Sequence, residues 1–378
     1  MRCAPDATLA GGLAFGEIGA WMRPMPALSE YSVADFEHQV VAWGHPAVHA
    51  RKILRRFYTG AGEIAWEKIE LPKGLRERVL ADGLVGSTLA TRQQDPDGTV
   101  KLLLRLGDGR TVETVLMPDR RSDRAAGCLS TQVGCAMGCD FCATAQAGFE
   151  RNLTSGEIAE QFLAIQREAR AARRKLRTIV FMGMGEPMHN LDAVLAAVQR
   201  IGHGELGAVG WAQIAISTVG IVPGIEALAA SGVPVALAIS LHAPDDTTRA
   251  RLLPTGRRYG VAEVLTAADR YQAATGRVVN IQYCLLAGVN DSPAQARALA
   301  ALLVGRRMHV NILLYNPTGP GLSGTAYTPP AKEAVGVFLD ELHAAGIVAH
   351  FRRPRGAEID GACGQLRARE ATERPDKG

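Results

Sequence analysis

The sequence predicts an α/β protein: a partial (β/α)6-type barrel preceded by a small helical domain and a short antiparallel β meander. Three observations lead there. From residue 128 onward, strand-like and helical runs alternate at a spacing of roughly 30 residues, the mark of βαβ units, right-handed crossovers and a parallel sheet. Between residues 87 and 118 the apolar period is two, and between 32 and 83 it is helical. At 378 residues, 47% hydrophobic and 21% charged, the chain can bury the core of two or three domains.

Taken in order, residues 1–28 read as a poorly ordered leader. The stretch from Ala7 to Ala20 is apolar but interrupted by Gly11, Gly12, Gly16 and Glu17, and only Arg2 precedes it, too loose for a signal-peptide core. Residues 29–85 form the helical domain. Ser32 before Asp35 and Glu37 gives a capped start, and Val48 to Tyr58 repeats apolar residues at helical spacing. The other face of that second helix carries Arg51, Lys52, Arg55 and Arg56; such a run is usually a solvated face, and RNA phosphate is the alternative. Residues 86–118 hold three strands, at 88–92, 99–106 and 111–117, separated by turns at Asp95-Pro-Asp-Gly98 and Gly107-Asp-Gly109. Alternation puts Glu113 on the face of Thr111 and Val115, and a lone strand carboxylate more commonly faces solvent.

A polar linker from Asp119 opens the barrel domain, 119–366. Its strands are expected at 128–133, 178–182, 213–218, 234–241, 278–285, 309–315 and 348–352, its helices at 155–174, 191–201, 225–231, 261–275, 293–303 and 332–345. Residues 367–378 read as a disordered tail. In barrels of this kind function sits at the C-terminal ends of the strands. Polar and glycine clusters do follow strands here, at Gly183-Met-Gly-Glu-Pro187, Ser217-Thr218, Ser240-Leu-His242 and Asn316-Pro317.

The charge balance, 42 basic against 38 acidic residues, is too mild to announce nucleic-acid binding by itself. No run of about 18 apolar residues occurs, so no transmembrane helix is expected. Seven cysteines without disulfide-framework spacing suit a reducing cytoplasm and metal or redox chemistry. Three of them fall in Cys135-Ala-Met-Gly-Cys139-Asp-Phe-Cys142. A ferredoxin cluster takes four cysteines, so three leave one iron open for chemistry; a zinc knuckle with a distant fourth ligand is the other reading.

CxxxCxxC resembles the radical S-adenosylmethionine (SAM) enzymes. With Cys135 to Gly148, Arg151-Asn-Leu153, Met182 to Pro187, Ile239-Ser-Leu-His-Ala243 and Ala362-Cys-Gly-Gln-Leu366, the chain from about His45 to Leu366 resembles the RlmN/Cfr adenine methyltransferases, and RlmN most. The resemblance implies a radical SAM barrel, an N-terminal RNA-binding domain, a [4Fe-4S] cluster on Cys135, Cys139 and Cys142, and two SAM molecules per turnover. It implies that SAM methylates Cys363, and that a 5′-deoxyadenosyl radical from a second SAM then takes hydrogen from that methyl. The methylene radical adds to an aromatic carbon of adenine in 23S rRNA, and in RlmN also in tRNA. Cys128 resolves the adduct by disulfide formation and Glu113 removes the ring proton. Gly185 and Glu186 hold the methionine amine; Ser217, Ser240, Leu241, His242 and Asn316 line the ribose and carboxylate side. An electron donor such as flavodoxin and a monomeric protein are also implied.

These residues leave carbon 2 and carbon 8 of adenine open; carbon 2, the commoner housekeeping activity in the family, is the expectation. The alternatives are a radical SAM enzyme acting on a protein or metabolite and a metal-stabilised RNA-binding protein. Candidate RNA contacts are the helix of Arg51 to Arg56, the run Arg167, Arg170, Arg173, Arg174, Lys175 and Arg177, and the favoured Arg352, Arg353 and Arg355 beside Cys363. The loop between Glu113 and Cys128 and the stretch Gly356-Ala-Glu-Ile-Asp360 depart from the family pattern. Cys284 and Cys3 receive no role.

Overall fold

A computed structural model describes residues 26–206, 209–356, 359 and 363–373. Its strands are β1 (Thr88–Gln94), β2 (Val100–Arg105), β3 (Thr111–Pro118), β4 (Arg124–Cys128), β5 (Gln132–Gly134), β6 (Phe149–Asn152), β7 (Lys175–Phe181), β8 (Ile214–Thr218), β9 (Ala236–Ser240), β10 (Val279–Leu285), β11 (Met308–Leu314) and β12 (Ala349–Arg352). Ten of them make one sheet in the order β1-β2-β3-β4-β7-β8-β9-β10-β11-β12. From β4 to β12 every neighbour is parallel, with helices in the crossovers. The order is linear and β1 and β12 are its edges, so this is the open, partial barrel expected from the alternation.

The meander is not set apart from the barrel. β1, β2 and β3 pair antiparallel, and β3 pairs antiparallel with β4, extending the barrel sheet on its first edge. Across the open side, the Gly356 N–H donates to Asp97 in the β1–β2 turn (3.4 Å) and Arg355 stands 3.8 Å from the same carboxylate. The meander thus faces the chain that leaves β12.

Local signals set the crossover helices. Thr154 and Glu157 form a reciprocal capping box at the start of Ser155–Ala171, and Ser292 with Gln295 does the same for Pro293–Leu303, with Pro293 in the first turn. Gly276 ends Val261–Thr275 in the left-handed conformation. One apolar core runs from Leu28 and the helices Val33–Ala42 and Val48–Thr59 through the barrel to Ala349. The helical part therefore packs as a continuation of the barrel core.

Three expectations differ from the structure. The strand expected over 128–133 ends at Cys128: Leu129 still donates to Val180 O, but the Ser130 N–H goes to Gln161 Oε1 and the Thr131 N–H to Met184 O, taking the chain out of the sheet. Of the leader at 1–28, residues 1–25, with Cys3, lie outside the described residues. Leu28 is buried in the core, its N–H donating to Gly83 O. Of the tail at 367–378, residues 367–373 belong to the helix Gln365–Glu373, whose Leu366 is buried, and 374–378 lie outside the described residues.

Candidate active site

The three-cysteine loop follows β5. Gly134 sits at φ +76°, and a Cβ there would lie 1.9 Å from Gly148 O, so glycine is what lets the Cys135 N–H reach that carbonyl (2.8 Å). The two non-cysteine side chains ahead of Cys142 fasten the loop. The Asp140 carboxylate accepts from the Ser323 N–H (2.6 Å), Ser323 Oγ (2.7 Å) and the Tyr327 hydroxyl (2.5 Å). Phe141 stands edge-on to His242, ring centroids 5.2 Å apart. Burial pushes the Cys135 thiol up to about 12 and also raises Cys139 and Cys142. Such thiols ionise when cationic metal compensates the charge, and an all-sulfur donor set suits iron–sulfur ligation. Among the described residues no three His, Cys, Asp or Glu side chains converge on a single-ion position. A cubane does not need one, because each cysteine binds its own iron.

The strand ends beside this loop carry the other expected residues. Gly185 has φ +99°, and a Cβ there would stand 2.6 Å from the Gln132 side chain. Glu186 is buried; its Oε1 accepts from the Met188 N–H (3.0 Å) and its Oε2 from the Val219 N–H (2.9 Å). Burial raises its carboxyl to about 7 against those hydrogen bonds. Ser217 is buried one residue before the end of β8, Ser240 ends β9, and the next residue, Leu241, is fully buried. His242 is buried at φ +59°, outside the usual range for a non-glycine residue. Its Nδ1 accepts from the Cys284 N–H (3.0 Å), and burial lowers the ring to about 3, so it is neutral with Nε2–H as donor. Asn290, with no exposure, holds both His242 O (2.7 Å) and Cys284 O (2.8 Å). Asn316 is half-buried just past β11.

The remaining three residues meet although they lie far apart in sequence. Cys128 closes β4, and Cys363 reaches it on the chain beyond β12. The two thiols hydrogen-bond each other; the shared bond lowers Cys363 and raises Cys128, burial raising Cys128 further. Cys363 Sγ also donates to Met182 O (3.4 Å), and Thr144 Oγ1 donates to Cys363 O (2.9 Å). Glu113 is buried rather than solvent-facing. Its Oε2 accepts from Lys101 Nζ (3.0 Å) and the Gly364 N–H (2.8 Å), its Oε1 from the Arg367 N–H (2.8 Å). Glu113 therefore caps the first turn of Gln365–Glu373, directly after Cys363.

Sequence reasoning missed Lys101, Gln132, Asp140, Asn290 and Tyr327. Lys101 had a signal: a lysine inside Val100-Lys-Leu-Leu-Leu104. The proposed RNA contacts divide. Arg167 donates to Ala61 O (2.7 Å), Arg170 donates to Thr59 O, and Arg174 donates to Arg124 O (3.2 Å). Those hydrogen bonds tie the barrel together and to the N-terminal helices, while Arg167 and Arg170 stay exposed. Arg352 donates to Asn311 Oδ1 (2.8 Å), and both Arg352 and Arg353 are exposed. Residues 357, 358 and 360 of the departing stretch lie outside the described residues.

A family model described as the radical SAM superfamily matches residues 129–300. The chain is 61% identical to a probable dual-specificity RNA methyltransferase, RlmN 1, of Opitutus terrae over 345 residues, 91% of this chain and 97% of that one. A probable dual-specificity RNA methyltransferase RlmN of Symbiobacterium thermophilum is 42% identical, with 94% of each chain covered. A crystal structure of a radical SAM methyltransferase from Sphaerobacter thermophilus superposes with a TM-score of 0.83 at 42% identity, covering 90% of this chain and 98% of that one.

Proposed function

We propose that this chain, which belongs to the RlmN family of radical SAM RNA methyltransferases, methylates carbon 2 of adenine in 23S rRNA and in tRNA through a methylated Cys363. The observation that carries the reading is the meeting of Cys128, Cys363 and Glu113 in one buried pocket behind the three-cysteine loop. An aromatic carbon at an electron-poor position is not nucleophilic enough to take a methyl from a sulfonium directly, and a protein sulfur is.

When bound, a [4Fe-4S] cluster on Cys135, Cys139 and Cys142, reduced by a donor such as flavodoxin, and two SAM molecules per turnover supply the methyl group and a hydrogen-abstracting radical. Gly185 leaves room at the backbone and Glu186 offers its remaining lone pairs to the methionine ammonium. Ser217, Ser240, Leu241 and Asn316 line the ribose and carboxylate side, and neutral His242 donates from Nε2. Cys363 takes the methyl and later holds the RNA through it. Glu113 accepts the ring proton, and the odd electron that radical addition leaves on the ring would return to the oxidised cluster, so that a closed-shell thioether joins Cys363 to the base. The Cys128 sulfur then attacks the Cys363 sulfur: an S–S bond forms, the bond from Cys363 sulfur to carbon breaks, and its electron pair leaves on the carbon, which takes a proton to become the product methyl. Arg353 and Arg355 meet RNA phosphate. The enzyme acts as a cytoplasmic monomer; no helix among the described residues is long and apolar enough to cross a membrane.

The test is anaerobic reconstitution with iron, sulfide, SAM and reductant, followed by mass spectrometry of nucleosides digested from unmodified 23S rRNA and tRNA. 2-Methyladenosine is expected, absent with Cys363→Ala. 8-Methyladenosine would overturn the choice of carbon, and no methyladenosine would overturn the reading. Charge reversal at Arg353 and Arg355 should weaken RNA binding and flatten its salt dependence.

A further inference from the structure

Among the described side chains around Cys128, Cys363 and Glu113 is a buried lysine to which this mechanism assigns nothing. Lys101 lies in β2 with 1% exposure, between Val100 and the wholly apolar run Leu102 to Leu104. Lysine is almost never so buried unless its charge is matched. Register places it in a row across three strands: Lys101 opposite Val115, and Val115 opposite Cys128. Its ammonium is 3.0 Å from Glu113 Oε2 and acts electrostatically on both the Cys128 and Cys363 sulfurs.

The hydrogen bonds around Glu113 are asymmetric. Oε2 takes two donors, Lys101 Nζ and the Gly364 N–H, whereas Oε1 takes one, the Arg367 N–H. A carboxylate oxygen accepts two hydrogen bonds comfortably. Among the described residues Oε1 is therefore the edge with a vacant lone pair. The two backbone donors belong to the segment that carries Cys363, and they hold Glu113 only while that segment is docked. Lys101 lies on the strand paired with that of Glu113, so its hydrogen bond does not depend on that docking.

Resting on the mechanism proposed above, we infer that Lys101 is a positioning residue for the ring-proton transfer: it pins Glu113 Oε2 to the sheet and presents Oε1 as the base. The proton passes from the ring carbon to Oε1; Lys101 neither gains nor loses one. The methyl goes to Cys363 and not to Glu113, so Lys101 bears on that earlier step only through the charge it places near the Cys363 sulfur.

The experiment uses the full-length reconstituted enzyme as Lys101→Met, Lys101→Arg, Glu113→Gln and the Lys101→Met/Glu113→Gln double variant. Three quantities are measured: S-methylation of Cys363 by peptide mass spectrometry, covalent RNA–protein adduct on denaturing gels, and methyladenosine. Lys101→Met is expected to lower methyladenosine at least thirtyfold, far beyond any fall in Cys363 methylation, and to accumulate the adduct although Cys128 is intact. Lys101→Arg should recover part of the product, and the double variant should be no slower than Glu113→Gln, because Lys101 acts through Glu113. Product within threefold of wild type in Lys101→Met would overturn the assignment. So would loss of Cys363 methylation in that variant, which marks a general structural role, or losses that multiply in the double variant. A wild-type enzyme that makes no methyladenosine would instead overturn the underlying mechanism, and Lys101's part with it.

Discussion

Glu186 carries a charge cost in the site that a single substitution can remove. Its carboxylate is 2% exposed, and burial raises the carboxyl from 4.5 to about 7 although two backbone N–H groups bond it. Between these values the folded protein holds a proton that the unfolded chain has released, so stability falls as pH rises. The burial-linked stability is complete below pH 4.5 and is lost by the time pH passes about 7. At about 1.4 kcal/mol per pH unit the loss amounts to about 3 kcal/mol. Glu186→Gln removes the titration but leaves one carbonyl oxygen for the Met188 and Val219 N–H groups, a pH-independent cost of about 1 kcal/mol. Glu186 should therefore be the more stable form by about 1 kcal/mol at acid pH, and the glutamine variant by about 2 kcal/mol near pH 8. Urea unfolding of both proteins, reduced and free of iron and SAM, at several pH values from about 4.5 to 8 gives the comparison. Parallel pH dependences would refute the reasoning. By the same arithmetic, an ammonium placed against Glu186, as the proposed function requires, would recover the cost of its charge.

Other substitutions test how the loop is held. Gly134→Ala puts a Cβ against Gly148 O and should cost about 2–4 kcal/mol and lower iron bound per chain after reconstitution severalfold, read by metal analysis. Asp140→Ala strands the buried Tyr327 hydroxyl and should destabilise by about 2–3 kcal/mol in urea, with Tyr327→Phe costing about half as much. Cys128→Ala should leave Cys363 methylation intact and trap RNA on the protein, visible as a slow band on a denaturing gel.

Much of the barrel is legible in the sequence because its signals are local. The helices Leu191–Ile201, Val261–Thr275 and Pro293–Leu303 fall where periodicity and caps put them: the Ser292–Gln295 box, Pro293 and Gly276 need no knowledge of the rest of the chain. The exit of the chain from the sheet after Cys128 was not legible, since it depends on Gln161 and Met184, which arrive later in the chain. The short helix Asp246–Leu252 was missed for its length, though Asp245 caps it. The site divides the same way. CxxxCxxC is a spacing anyone can read, but Cys128 and Cys363 are ordinary cysteines until a family pattern joins them. Glu113 looked like a solvent-facing strand carboxylate because its partners, Gly364 and Arg367, lie at the other end of the chain.

The joining of base and nucleophile segment through Glu113 also bears on the order in which the molecule assembles. Once β12 has docked on β11, about ten residues separate it from Cys363, and closing a loop of that length costs only about 2 kcal/mol of chain entropy. So small a closure cost lets the terminal segment dock late, after the barrel has formed, with Leu366 in the core and Gly364 and Arg367 on Glu113. If it behaves as a local unit, hydrogen exchange should find the amides of Gly364 and Arg367 opening more often than those of β10 or β11.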